Sequence, residues 1–424
     1  MFCFVHAADL HLDTPFEGIG HAAPEVAEML RDASLRAWDR LVRLAMDQDA
    51  AFVALAGDIY DGPERGVRAQ LHFLEGLKKL SSAGIQVFIA HGNHDPLDGW
   101  SAISEWPRGV TVFGSENVTA VPVERDGRLL AMVHGVSYAR PETTENLATW
   151  FQRGREKVLH VGVLHCNVGN NSAHQRYAPC TVRDLVASGM DYWALGHIHQ
   201  RQYIQEGDPW IVYPGNTQGR SLKESETGPK GAVVVRAEGT GIVHVEFFPL
   251  DEVRFGSVHV DISHVDSLPE LIGVLISEAR RLTAGQDLRA LVLKAELAGR
   301  GHMHRKLTRR GAVREVLEEL REQSREMSPL VWWDSLTVST AAEIDREAVR
   351  SRGDFQADLV CLVDRLLSNP EALARFFETH ATSLDDSLPI LTRFLDPPDG
   401  DQMRELLVQA ETLALDMLQE GDQE

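Results

Sequence analysis

Five short apolar runs in the first 200 residues each lead into a polar side chain of metal-binding type, and that recurrence restricts the chain to few folds. The runs at residues 2–8, 51–56, 85–90, 158–164 and 192–195 are rich in β-formers, so each reads as a buried strand. They are followed by Asp9-Leu10-His11, Gly57-Asp58, Gly92-Asn93-His94-Asp95, His165 and Gly196-His197-Ile198-His199. Open α/β sheets gather their chemistry in this way, because the loops beyond the carboxyl ends of the strands converge on one crevice. Gly57, Gly92 and Gly196 each precede one of these polar residues, as expected where the backbone must turn tightly.

Asp9, His11, Asp58, Asn93, His165, His197 and His199 read together as the ligands of two metal ions. If Asp58 bridges, Asp9, His11 and His199 complete one shell and Asn93, His165 and His197 the other. Imidazole mixed with carboxylate and amide oxygen suits Mn2+, Fe2+ or Zn2+ better than Mg2+ or Ca2+, and Mn2+ is the first choice. Two divalent cations against two carboxylates leave a positive centre that attracts a phosphate diester even on an acidic protein. Ions about 3.5 to 4 Å apart can share a hydroxide that attacks phosphorus in line. His94 suits the leaving-group side, where an imidazole can stabilise charge or deliver a proton to the departing sugar oxygen. Asp95 is the candidate to orient its ring.

These residues resemble the calcineurin-like metallophosphoesterases, and within them the double-strand-break repair nucleases of the SbcD type. Phe4-Val5-His6-Ala7-Ala8-Asp9-Leu10-His11-Leu12-Asp13 and Tyr213-Pro214-Gly215-Asn216-Thr217-Gln218-Gly219-Arg220 are similar to the YhaO-like bacterial branch of DNA repair exonucleases. The likeness covers roughly residues 1 to 250 and thins beyond 340. It implies an α/β fold, a β-sandwich flanked by helices, with the seven residues as metal ligands and His94 as the non-ligand histidine at the leaving group. It also implies a capping domain that limits which DNA reaches the site, an SMC-like, SbcC-type coiled-coil ATPase partner, and a homodimer. Cys166, directly after His165, departs from the small hydroxylated residue expected there.

At 424 residues and 43% apolar, the chain is long enough for two or three domains with proper cores. Strands expected at 257–262, 288–297 and 330–338 alternate with helical stretches at 267–282 and 307–322, a small α+β module. The expected division is therefore a phosphoesterase domain over 1–250, a capping domain over 251–340 and a helical, acidic region over 341–424. No apolar stretch approaches membrane-spanning length, and four dispersed cysteines without a CxxC pair fit a reducing cytoplasm.

Net charge weighs against DNA. A formal charge of -21 is unlike that of a protein that grips DNA alone, although residues 384–424 hold eleven acids and two bases and so nine of that excess. Residues 300–310 carry Arg300, Arg305, Lys306, Arg309 and Arg310 with no acid; Arg305, Lys306 and Arg309 are candidate DNA contacts, or a solvated, mutually repelling loop. Arg220, just past the last ligand loop, is a candidate phosphate contact or a structural ion pair. Trp332-Trp333 suits strand packing better than base stacking. Leu406, Leu407, Leu413, Leu415 and Leu418 could dock a coiled coil or fold back on their own domain. Three readings follow: a metal-dependent DNA nuclease, a phosphodiesterase or phosphatase on a small nucleotide or phosphoprotein, and a DNA-end tethering subunit with incidental chemistry.

Overall fold

The structure, a computed structural model, describes residues 1–12, 14, 24–62, 66–169, 177–387 and 398–421; Asp13 of the opening motif lies outside them. Two six-stranded sheets face each other. The first runs Gly241–Pro249, Gly231–Glu238, Phe2–Ala7, Phe52–Ala56, Gln86–Ala90, Val110–Val112, and the second Gln202–Gln205, Trp210–Tyr213, Tyr192–Gly196, Leu159–His165, Arg128–Gly135, Thr119–Arg125. Each has a parallel centre and antiparallel outer strands, except that the edge strand Val110–Val112 of the first sheet pairs parallel.

The central parallel strands are largely apolar because both faces are covered. Phe4, Phe52, Phe88, Val133, Val161, Val163 and Ala194 form the layer between the sheets, where Phe4 stacks on Phe52 with ring centroids 4.5 Å apart. On the outer face of the first sheet, Val5, Val53, Leu55 and Val87 meet Trp38 and Leu41 of helix Pro24–Asp47 and Phe73 and Leu77 of helix Val67–Ser82. On the outer face of the second, Trp193 and Leu195 pack with Tyr138, Phe151 and Leu185. The expected helix-flanked sandwich is the observed architecture.

Register places the site. Leu55 pairs with Ala7, Ala56 with Ala90, and Gly196 with His165, so five strands end at one edge, where the polar residues begin.

The module that follows has the expected βαβαβ order, with strands Val253–Asp261, Ala290–Arg300 and Leu330–Ala341 in one sheet and helices Leu268–Thr283 and Ala312–Ser324 between them. Ser267 caps the first helix through its hydroxyl, which accepts from the Glu270 amide. Val253, Phe255, Ala290 and Val292 pack on Val26, Leu30 and Ala33 of helix Pro24–Asp47. Contacts therefore join Met1–Gly299 and Arg305–Thr340 into one compact unit. Trp333 is buried, its indole nitrogen donating to the Ser324 hydroxyl at 2.9 Å, as a packing tryptophan does.

Arg300–His304 and Ala341–Glu424 make a second compact unit. Its helices are Arg346–Arg350, Phe355–Leu367, Pro370–Ser387 and Gly400–Gly421. Leu407 packs with Val363, Leu366 and Leu373, and Leu415 with Val349 and Val360, while Leu406 and Leu413 are exposed. The last helix thus buries one apolar stripe in its own unit and presents a second. Among the described residues no helix is long and apolar enough to cross a membrane.

Candidate active site

Asp9 and His11 sit on a turn zipped to the next strand end: the Asp9 amide donates to Gly57 O at 3.0 Å, His11 to Asp58 O at 3.0 Å and Leu12 to Ile59 O at 2.9 Å. Asp9, His11, Asp58 and His197 all have left-handed backbone, with φ of 52°, 43°, 50° and 103°. Such conformations cost of order 1–3 kcal/mol each and persist where the surroundings over-determine them. The glycines act differently from the expected tight turns. Only Gly57 is left-handed; a Cβ at Gly92 would lie 2.3 Å from Asp58 Oδ1 and one at Gly196 would lie 1.8 Å from Ala56 O. Those two are glycines because other atoms occupy the space.

The side chains converge. His11 Nε2 and His199 Nε2 are 3.1 Å apart, and their other nitrogens face carboxylates, His11 Nδ1 with Asp61 at 2.9 Å and His199 Nδ1 with Glu226 at 2.7 Å. His165 Nδ1 donates to Ala56 O at 2.9 Å, while its Nε2 is 3.0 Å from Asn93 Oδ1 and 3.4 Å from Asp58 Oδ2. Asp58 Oδ2 is also 3.8 Å from His11 Nε2, so it lies on the seam between two donor groups. The ligand atoms of Asp9, His11 and His199 lie within 4.8 Å of one another, as do those of Asp9, Asp58 and His165. Asp9, expected in one shell only, belongs to both groups; its two oxygens accept from the His197 amide at 3.0 and 3.1 Å. The His197 ring stands 5.2 Å from that of His165.

This arrangement fits divalent cations. With His165 Nδ1 engaged by a carbonyl, His199 Nδ1 by a carboxylate and His11 Nδ1 2.9 Å from the Asp61 carboxylate, the Nε2 atoms point inward, and two Nε2 lone pairs 3.1 Å apart repel unless positive charge lies between them. The electrostatics agree. Burial pushes Asp9 up to about 6, and burial together with Arg220 brings His11 down to about 4. Burial also opposes charge on His165 and Asp58, but their mutual attraction outweighs it, taking His165 up to about 9 and Asp58 well below the usual carboxylate range. These are the shifts of carboxylates and imidazoles crowded into one buried centre, where each group's charge is set by its neighbours.

His94 is half-buried, as are Asn93, His197 and His199. It lines a cavity of about 900 Å³ shared with Asp58, Asn93, Tyr177, His197, His199 and Arg220. Its amide donates to Asp58 Oδ1 at 2.9 Å, and its Nδ1 is 3.1 Å from the Asp61 carbonyl oxygen.

Several expected roles change. Asp95 is expected at the His94 ring, but its carboxylate pins the loop instead, accepting from the Ile59 and Gly92 amides and from His91 Nδ1, each at 2.9 Å. Asp61 occupies the orienting position. The Arg220 guanidinium reaches the cavity yet is held by Asp61 at 2.6 Å and Glu226 at 3.5 Å. Arg305, Lys306 and Arg309 line a separate cavity of about 380 Å³ with Leu268, Ile272 and Val316, and Arg309 pairs with Glu315. Arg300 falls in the second unit, paired with Asp416. Cys166 is buried, its sulfur 3.7 Å from that of Cys180.

Sequence reasoning misses Asp61 and Glu226. The first has a signal, its spacing three residues after Asp58 in Gly57-Asp58-Ile59-Tyr60-Asp61; the second has none, because it meets His199 from 27 residues further along the chain.

Comparison with known proteins agrees with this geometry. The calcineurin-like phosphoesterase family matches residues 3–201, and the middle domain of metallophosphoesterase YhaO matches residues 255–341. The chain is 35% identical over 334 residues to the uncharacterized metallophosphoesterase YhaO of Bacillus subtilis, spanning 78% of this chain and 79% of that one. It is 27% identical over 247 residues to the DNA double-strand break repair protein Mre11 of Aeropyrum pernix, covering 53% of this chain and 55% of that one. It is 24% identical over 255 residues to the SbcD component of the SbcCD nuclease of Bacillus subtilis, covering 52% and 63%; these two matches span less than two thirds of the relatives' length. The chain belongs to the calcineurin-like metallophosphoesterases, on their SbcD- and YhaO-like branch.

Proposed function

We propose that this metallophosphoesterase is a DNA repair nuclease that hydrolyses phosphodiester bonds with two divalent metal ions, Mn2+ by preference. The reading rests chiefly on the convergence of the seven donors, four of which, Asp58, Asn93, His197 and His199, line one cavity together with His94. Asp9, His11 and His199 would hold one ion, Asn93, His165 and His197 the other, and Asp58 both. Such ions supply positive charge that polarises the phosphate and acidifies water.

The chain's own residues do the rest. His94, with Nδ1 engaged by the Asp61 carbonyl, has Nε2 for the departing sugar oxygen, where it stabilises charge or delivers a proton. Asp95 supports this indirectly by fixing the loop that carries Asn93 and His94. Arg220 offers the donors left over from its two ion pairs to a phosphate at the cavity. Arg305, Lys306 and Arg309 contact flanking DNA backbone, and the module over 251–340 acts as a cap.

Likeness to Mre11 and to SbcD favours DNA over a small nucleotide, and an SMC-like, SbcC-type coiled-coil ATPase as partner. The exposed stripe of Leu406, Leu413 and Met417 on the last helix suits docking of such a coil. A cytoplasmic homodimer completes the reading.

The test is Mn2+-dependent cleavage of end-labelled linear and hairpin DNA, with bis-p-nitrophenyl phosphate in parallel, for wild type, Asp58→Ala and His94→Ala. DNA cleavage abolished by both substitutions supports the nuclease. Hydrolysis of the small diester with DNA untouched, in the presence of the ATPase as well, would point to a small-substrate phosphodiesterase; inactivity on both would favour a tethering role.

A further inference from the structure

A histidine that holds a metal through one nitrogen has its ring angle and donor strength set by whatever binds the other. For His165 that partner is a main-chain oxygen of its own sandwich. For His199 it is Glu226, a side chain on the loop that follows strand Trp210–Tyr213. The carboxylate is 6% exposed, and both oxygens are committed: Oε1 accepts from His199 Nδ1 at 2.7 Å, and Oε2 accepts from Asn216 Nδ2 at 2.7 Å and the Arg220 amide at 3.1 Å. A buried carboxylate is tolerated only when paired in this manner.

Arg220 extends the connection. Its Nε lies 3.5 Å from Glu226 Oε1 and its Nη1 donates to Asp61 Oδ1 at 2.6 Å, the same oxygen that stands 2.9 Å from His11 Nδ1. The imidazoles whose Nε2 atoms meet at 3.1 Å are thus each backed by a carboxylate, and one guanidinium joins the two carboxylates.

We propose that Glu226 is a positioning residue of the metal centre, fixing His199 directly and, through Arg220 and Asp61, holding it in register with His11. The proposal rests on the reading of Asp9, His11, Asp58 and His199 as the shell of one ion. It makes the affinity of that ion, and not of its neighbour, depend on a residue that touches neither metal nor substrate.

A purely structural role in the loop is the competing account, and the loop supplies its own control. Gln218 holds the same segment to the module beyond, accepting from the Glu252 amide at 2.9 Å and donating to Val253 O. Its side-chain hydrogen bonds run to Gly219, Glu252 and Val253 rather than to His199. Mn2+ is titrated by calorimetry into metal-stripped wild type, Glu226→Gln, Glu226→Asp and Gln218→Ala, with unfolding of the metal-free proteins followed by circular dichroism. Wild type should take two ions. Glu226→Gln should weaken one of them by about 10- to 100-fold and leave the other unchanged, Glu226→Asp should recover part of the loss, and Gln218→Ala should keep both affinities.

Two unaltered sites in Glu226→Gln, or equal weakening in Glu226→Gln and Gln218→Ala, would overturn the proposal while leaving the metal site standing. A wild-type protein that binds no ion would overturn both.

Discussion

At the carboxyl edge of the sandwich charged side chains are buried and bonded across long stretches of chain, whereas in the module over 253–341 most ion pairs are exposed and local, the buried Arg254–Asp251 pair at its start excepted. Asp9 is fully buried and meets the His197 amide; Arg220 joins Asp61 and Glu226 from different loops. In the module, Arg281 pairs with Glu278 one turn away, Lys294 with Glu296 and Arg309 with Glu315, all with substantial exposure. Exposed pairs contribute about 0–1 kcal/mol each, so those positions can change with little effect on folding. Buried, strained and interlocked positions cannot, and chemistry that depends on geometry is built from them.

The sharpest way to break this contrast is at Asp58, which lies on the seam between the two donor groups. Asp58→Asn should lower phosphodiester hydrolysis by on the order of a thousandfold or more, since even an indirect partner of a ligand is worth 10- to 100-fold. Steady-state rates at saturating Mn2+ check this. An equal loss from Lys294→Gln in the module would dissolve the distinction.

Two glycines test it through stability. Gly196→Ala places a methyl group 1.8 Å from Ala56 O and should cost about 3 kcal/mol or more as the sheets are forced apart. Gly273→Ala, in helix Leu268–Thr283 with nothing within 4 Å, should stabilise by about 0.5–1 kcal/mol. Urea unfolding of both variants gives the two signs directly.

Acid should also act on the buried histidines of the sandwich. Burial takes His6 down to about 3, and burial followed by the His160 ring takes His134 down to about 4, against 6.5 when exposed. Below pH 6.5 the unfolded chain therefore binds protons that the folded chain refuses. The stability present above pH 6.5 drains away as pH falls towards 4, by on the order of 2 kcal/mol or more in total. Denaturation midpoints between pH 7 and 4.5 should fall, and less steeply in His134→Gln; a flat profile would contradict the assignment.

The smallest effect on the protein itself belongs to Arg305, Lys306 and Arg309. Replacing all three with Ala should leave hydrolysis of a small diester unchanged and alter stability by less than about 1 kcal/mol, while weakening DNA binding at low salt by roughly tenfold or more. Fluorescence anisotropy with labelled duplexes measures that; unchanged DNA affinity would remove the three from the substrate path.

Much of the sandwich is legible in the sequence because burial on both faces leaves a continuous apolar run, and each of the five runs ends in ligand-type residues. The βαβαβ order of the module is legible for a related reason, the change in apolar spacing between strands and helices. Contact at a distance is not. Asp95 looks like the partner of His94 because it is adjacent in sequence, yet Asp61 is the residue at its Nδ1 side. Local sequence carries no trace of a loop folding Glu226 onto His199. Arg220 stands out by charge, and charge alone does not reveal that two carboxylates hold it. The leucines of the last helix suit either of two fates by spacing, and the fold divides them, with Leu407 and Leu415 buried and Leu406 and Leu413 exposed.

The most direct test of the central claim is a crystal structure grown with Mn2+ and read by anomalous scattering. Two peaks are expected, one among Asp9, His11, His199 and Asp58 and the other among Asn93, His165, His197 and Asp58. No peak there, or a single ion held by His11, Asp61 and His94, which also lie within 4.8 Å of one another, would contradict the account.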